Sequence, residues 1–342
     1  MKRVGVLTGG GDCPGLNAAI RAIVRRSHQH GFESVGILEG WRGLTEGLTR
    51  DLDRDAVSGI LHVGGTILKT SRTNPSKMEG GFEKVEANFK KIGLDALVAI
   101  GGEDTLGVAR SLHERGLPVV GVPKTIDNDL GGTDFTFGFN TAVSIVTEAI
   151  DRLHSTAESH NRAIVVEVMG RHTGWIATYA GIAGGADVIL VPEFPVDLEN
   201  VCNHLRSRHK LGRSFSIVVV AEGARIGKDE NIVSSRGTDA FGHARLGGIG
   251  MILAEEIEKR TGFETRVTSL GHVQRGGSPT AFDRVLATRY GVFAADLVKE
   301  GKFGKMAALR GNDIVAVDLA DAVKSLKTVD PRLFELAGVF FG

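Results

Sequence analysis

Two cysteines among 342 residues, Cys13 and Cys202, are too few for a disulfide framework and lack zinc-ligand spacing. A reducing cytoplasm is the expected compartment. No apolar run has the length of a bilayer span, and the strand pattern that opens at Val4 has no signal-peptide core before it. Charge of either sign is not in excess, with 41 Lys plus Arg against 41 Asp plus Glu. That balance excludes the global basic field by which nucleic acid or an anionic membrane is bound, so anionic ligands must be held by local clusters. Eight prolines form no linker, and neither a fixed-period repeat nor a shift in composition marks a boundary. Glycine is abundant instead. Its 47 copies cluster where apolar runs end, as they do in loops whose backbone closely approaches a ligand.

Apolar runs of buried-strand length stand at 4–8, 34–38, 96–100, 119–122, 163–168, 188–191 and 216–221. Helical spacing is expected at 17–28, 53–62, 82–92, 105–115, 141–159, 174–184 and 198–211, and again around 255–260. Alternation of this kind predicts parallel strands joined by crossovers. Residues 225–248 are polar and Gly-rich, and read as a long surface excursion.

Chemistry-bearing residues sit just after these strands, where an open α/β sheet places its ligands. The first turn, GGGDCPGLN at 9–17, matches neither the dinucleotide fingerprint nor the P-loop. Three consecutive glycines before a helix still turn backbone amides toward an anion, although a ligand-free tight turn has the same composition. GGEDT at 101–105 and PKTIDND at 123–129 place acids, a lysine and bare glycine backbone at two strand ends. Asp127 and Asp129, two apart, face one side if the backbone is extended, and such a pair needs a cation or proton to share. An Asx turn capping the next helix is the structural alternative. VMGRHTGW at 168–175 puts Arg171 at a strand tip, suited to a phosphate. GHVQRGG at 271–277 adds His272 and Arg275 beside glycines, with Arg72, Arg162 and Arg266 elsewhere. Cys13 has no histidine nearby in sequence and reads as a buried filler.

Taken in order, GGGDCPGLNA, GGEDT, PKTIDND, VMGRHTGW, VAEG and ETRVTSLGHVQRGGSP resemble the 6-phosphofructokinase family over nearly the whole chain. The resemblance implies two Rossmann-like three-layer α/β domains with largely parallel sheets and the active site in the cleft between them. It places a donor-phosphate and magnesium domain at 1–140, with a C-terminal return near 255–305. A fructose 6-phosphate domain follows at 141–254, and 306–342 packs on either one. The implied reaction is phosphoryl transfer to the C1 hydroxyl of fructose 6-phosphate with Mg2+. Asp127 takes the position of the general base, and Thr125 with Asp127 holds the reacting end of the sugar. Glu103 falls at the metal-ligand position, and Asp129 where an acid reaches the metal through water. Gly11, Gly102 and Arg72 face the donor phosphates, and Arg171 the transferring group. Met169, Gly170 and Glu222 line the sugar, while Arg162, Arg266, His272 and Arg275 bind its 6-phosphate. In this family Arg162 and Arg266 reach in from a neighbouring subunit, which implies a homodimer or homotetramer with shared sites.

The donor is implied by two positions where ATP-using members commonly carry glycine. Asp104 would occupy the space of a nucleotide α-phosphate and repel it, and Lys124 would neutralise compact pyrophosphate. Both resemble the pyrophosphate-dependent branch, as does the length of the excursion between Glu222 and Arg266. An ATP-dependent enzyme with the same sugar site is the alternative. The sequence departs from the family pattern at Glu103, where aspartate is more familiar, and the extra methylene alters its reach. Arg21, Arg25 and Arg54 stand at basic effector positions, but His154 and Gly59 do not match, so strong nucleotide allostery is not expected. A non-catalytic sugar-phosphate sensor would not need Asp127, and the missing dinucleotide spacing disfavours a dehydrogenase.

Overall fold

A computed structural model describes residues 2–226 and 247–339. The strands run in chain order β1 (Arg3–Thr8), β2 (Glu33–Ile37), β3 (Thr49–Asp51), β4 (Ala96–Gly101), β5 (Val119–Thr125), β6 (Phe137–Gly138), β7 (Ala163–Val168), β8 (Val188–Leu190), β9 (Ser216–Ala221), β10 (Thr265–Ser269), β11 (Lys305–Arg310) and β12 (Asp313–Asp318). The chain forms two units, one of residues 1–141 with 275–326 and the other of residues 142–274 with 327–342.

The first unit has the sheet order β12-β11-β5-β4-β1-β2-β3, with β6 paired to β5. Its pairs are parallel except β11–β12 and β2–β3. Alternate side chains separate its two faces. Leu7, Leu97 and Ala99 join a core with Trp41, Val85, Phe89, Leu106 and Leu112 from three helices. Helices Leu16–Gln29 and Ala281–Glu300 pack on each other so closely that a Cβ on Gly291 would lie 2.7 Å from the Ala19 carbonyl oxygen. The second unit has the all-parallel order β10-β7-β9-β8. Val165, Val188, Val218 and Val220 pack against Cys202, Leu205, Leu253 and Ile257 of two helices.

Both units are α/β with largely parallel sheets, as expected, but three details differ from expectation. Residues 53–62 form turns, not a helix: Asp53 accepts from the Ala56 amide at 2.7 Å, Gly59 has φ +74°, and Val57 is the one buried hydrophobic there. The return to the first unit begins at 275, not 255, because β10 pairs with β7 in register from Thr265–Ala163 to Ser269–Glu167. Residues 306–342 divide: β11 and β12 extend the first sheet, while Trp175 donates to the Lys327 carbonyl and Val329 to Glu193 in the second unit. The excursion expected over 225–248 lies mostly outside the described residues. No helix among the described residues is long and apolar enough to cross a membrane.

One fold element carries a pH signature. Asp283 is wholly buried and accepts from the Thr141 amide at 2.7 Å and its hydroxyl at 2.6 Å, tying two helix starts together. Burial raises its carboxyl from 3.8 to about 6, against the lowering effect of those bonds. The folded state therefore holds this proton more tightly than the unfolded chain does. Stability from this group grows as pH falls from about 6 toward 4, by on the order of 2–3 kcal/mol, and is lost as pH rises through 6. Asp283→Asn is expected to flatten that part of the stability profile in urea melts at several pH values. An unchanged slope would place the titration elsewhere.

Candidate active site

In the first unit the glycine turn, GGEDT and PKTIDND meet at the C-terminal ends of β1, β4 and β5. The Gly9 amide donates to the Ile100 carbonyl at 2.9 Å, binding the turn to the end of β4. Thr105 makes the approach tight, because a Cβ on either Gly9 or Gly101 would collide with its side chain. Thr70 donates to the Gly10 carbonyl at 2.6 Å, and exposed Arg72 follows Thr70 by two residues in the chain. Gly102 lies against the next loop, its missing Cβ 3.5 Å from the Lys124 carbonyl oxygen and 3.8 Å from the Thr125 Cβ.

Lys124 is 3% exposed and its ammonium donates to the Gly11 carbonyl. Burial pushes its pKa below the ordinary lysine value, and Arg275 adds to that, while Asp127 and Asp12 favour the charged form. Gly11 itself is exposed, and the Arg275 guanidinium packs where its Cβ would be. Arg275, expected at the sugar phosphate, thus groups with Gly11 and Lys124 in the first unit. A lysine and an arginine flank one glycine backbone, an arrangement that suits a dense anion.

Asp127 is 7% exposed, and its amide donates to the Thr125 hydroxyl oxygen at 3.1 Å. The extended backbone expected through Asp129 stops at Thr125, and Asn128 takes φ +53°. The Asn128 side chain accepts from the Thr136 amide at 3.0 Å and so holds the loop rather than capping a helix. Asp127 and Asp129 therefore do not share a strand face: one is buried and the other half-buried. Glu103 is exposed on the first turn of helix Glu103–Glu114, and Asp104 is half-buried beside it. Asp104 also lines a cavity of about 250 Å³ with Asn74, Ser76, Gly107 and Ser111. Among the described residues no three acids, histidines or cysteines converge as a metal cage. One or two hard carboxylates with substrate phosphates and water are the ordinary setting of Mg2+, and Glu103 with Asp129 fit that donor chemistry.

In the second unit Met169, Gly170 and Arg171 follow β7, Glu222 follows β9, and His272 follows β10. The Glu222 carboxylate accepts from the Arg171 amide at 3.2 Å, and Arg171 has φ +51°. Gly223 must be glycine here, since any Cβ would strike the Arg171 carbonyl. Arg162 and Arg266 lie at the opposite, N-terminal edge of the sheet, roughly 20 Å away by strand rise. One carboxylate, Glu264, pairs with both, at 2.8 Å from Arg162. Within one chain these two arginines and the Met169–Arg171 loop do not meet. Sequence reasoning gave no role to Thr105, which packs on the glycine turns, to Glu264, which pairs with Arg162 and Arg266, or to Gln274, which accepts from the Met169 amide. Cys13 is the buried filler expected, with its thiol pushed upward by burial.

A glycine turn braced by a buried lysine, beside acids at adjacent strand ends, is the construction of a phosphate-handling α/β enzyme. The phosphofructokinase family model matches residues 3–298. A pyrophosphate–fructose 6-phosphate 1-phosphotransferase of Streptomyces coelicolor is 60% identical, covering 99% of this chain and 100% of its own. An ATP-dependent 6-phosphofructokinase 3 from the same organism is 55% identical over 97% of this chain and 98% of its own. A phosphofructokinase structure from Pichia pastoris aligns with a TM-score of 0.83 and 34% identity over 99% of this chain. This chain spans 36% of the length of that yeast one. The chain belongs to the phosphofructokinase family.

Proposed function

We propose that this protein is a pyrophosphate-dependent phosphofructokinase. It transfers a phosphoryl group from pyrophosphate to the C1 hydroxyl of fructose 6-phosphate, giving fructose 1,6-bisphosphate and phosphate. The observation that carries the donor assignment is Asp104, whose carboxylate lines the cavity on helix Glu103–Glu114 while Lys124 braces the glycine turn. A nucleotide extending past Asp104 would bring its α-phosphate against a like charge. Pyrophosphate ends before that point, and its charge is matched by Lys124, Arg72 and the Gly11 and Gly102 backbone.

In the reaction Asp127 accepts the proton of the C1 hydroxyl as the new O–P bond forms, and the bridging P–O bond of pyrophosphate breaks to release phosphate. Thr125, hydrogen-bonded to the Asp127 amide, orients the carboxylate. Arg171, its backbone fixed by Glu222, balances charge on the transferring group. Glu103 and Asp129 would hold Mg2+, which when bound neutralises the donor phosphates. Met169, Gly170, Glu222 and His272 take the sugar and its 6-phosphate, and Arg275, packed on Gly11, serves the phosphates at the glycine turn. Arg162 and Arg266 serve a neighbouring copy of the chain in a cytoplasmic homo-oligomer, a role supported by their place at the far edge of the sheet. An ATP-dependent enzyme is the second reading, favoured by the 250 Å³ cavity beside Asp104, which offers room for a nucleoside. The reaction class is tested by product analysis: fructose 6-phosphate, Mg2+ and pyrophosphate should give fructose 1,6-bisphosphate and one equivalent of phosphate. Phosphate release without sugar phosphorylation would mark a hydrolase instead.

A further inference from the structure

Gln274 is wholly buried, and both ends of its carboxamide are hydrogen-bonded. Its Oε1 accepts from the Met169 amide at 3.2 Å, and its Nε2 donates to the Gly271 carbonyl at 3.0 Å. Each bond fixes the orientation of the amide, because an N–H must meet an oxygen and a carbonyl must meet an N–H. The location explains the need. β7 and β10 run as a parallel ladder up to Glu167 and Ser269, and the Leu270 amide still donates to the Glu167 carbonyl at 3.1 Å. The chain then leaves the sheet in the turn Gly271–Arg275, so the ladder ends one step before Met169. The Gln274 side chain, itself an amide, takes the place of the missing strand residue for Met169 and closes its own turn through Gly271. A buried Met169 amide without it would be left unsatisfied.

We propose that Gln274 is a positioning residue for the sugar phosphate, locking the turn that carries His272 onto the Met169–Gly170–Arg171 loop. This rests on the reading above that those residues bind fructose 6-phosphate. Glutamine supplies both a donor and an acceptor at this reach: asparagine is shorter, ionised glutamate lacks the donor, and methionine has no donor and only a weak acceptor.

The test compares wild type with Gln274→Met and Gln274→Glu, whose side chains have nearly the same length. Steady-state kinetics should show KM for fructose 6-phosphate rising about tenfold or more in Gln274→Met, with KM for pyrophosphate unchanged and kcat within about threefold. Gln274→Glu, which keeps the acceptor for Met169, should fall between that variant and wild type. A thermal-shift measurement reads binding apart from turnover: fructose 6-phosphate should raise Tm less in the variants, and pyrophosphate should raise it as in wild type. If Gln274→Met does not fold, Gln274→Glu carries both measurements. Equal loss for both ligands, or an unchanged KM for the sugar in a folded variant, would overturn the positioning role. Wild type that does not phosphorylate fructose 6-phosphate would instead overturn the functional reading on which it rests.

Discussion

Replacing Asp127 with serine is expected to lower turnover about 10²- to 10⁴-fold, the usual contribution of a positioned general base. The affinity for fructose 6-phosphate should change little, because the sugar-phosphate contacts are assigned to other residues. The expectation follows from the loop itself. Asp127 is buried, its amide is fixed to the Thr125 hydroxyl, and Asn128 holds the turn by bonding the Thr136 amide. Serine is smaller and leaves those backbone bonds in place, so the fold should survive the change. Kinetics combined with the sugar-induced shift in Tm separate the two effects. Turnover within about tenfold of wild type would mean that another group takes the C1 proton.

The second large effect concerns the donor. Asp104→Gly removes a carboxylate from the cavity wall on helix Glu103–Glu114. A like charge about 4 Å from an α-phosphate costs about 1 kcal/mol in water and about 4 kcal/mol at the effective dielectric of a protein surface. With 1.4 kcal/mol for each factor of ten, kcat/KM for ATP should rise about fivefold to several-hundredfold. Lys124→Met should act on the other donor and lower kcat/KM for pyrophosphate, since the ammonium bonded to the Gly11 carbonyl is lost. ATP activity unmoved by Asp104→Gly would show that neither charge nor space at this position selects the donor.

Much of the α/β framework was legible because its strands are continuous apolar runs. β4, β7 and β9 are buried at every residue, and such runs need no partner to be recognised. β10 was not, since it is an edge strand with only Thr265 buried, and its polar residues read as a motif. Helix Ala281–Glu300 was missed for the opposite reason: its buried positions include Leu286, Ala287, Tyr290, Gly291, Ala294, Ala295, Leu297 and Val298, which blurs a one-sided period. The crossing between units at 275 follows from the β7–β10 pairing, a contact across about a hundred residues that no local pattern contains.

The site divides in the same way. Asp104, Lys124, Asp127 and Arg171 stand out in the sequence as candidates because they carry charged groups just after apolar strands. Gln274 and Glu264 do not, since their value lies in what they hold. A glutamine inside a glycine-rich motif looks like any polar loop residue until the end of the β10 ladder is seen beside Met169. The expected alignment of Asp127 with Asp129 failed on one dihedral, the left-handed Asn128 between them. That leaves Asp127 buried and Asp129 half-buried, which suits the proposed roles of base and hydrated-metal ligand.

The most direct measurement compares kcat/KM for pyrophosphate and ATP with the purified wild-type protein, saturating fructose 6-phosphate and Mg2+. Pyrophosphate should be preferred by about tenfold or more, the size of the repulsion expected from Asp104. Faster turnover with ATP would contradict the assignment and leave the same fold and sugar site serving an ATP-dependent enzyme.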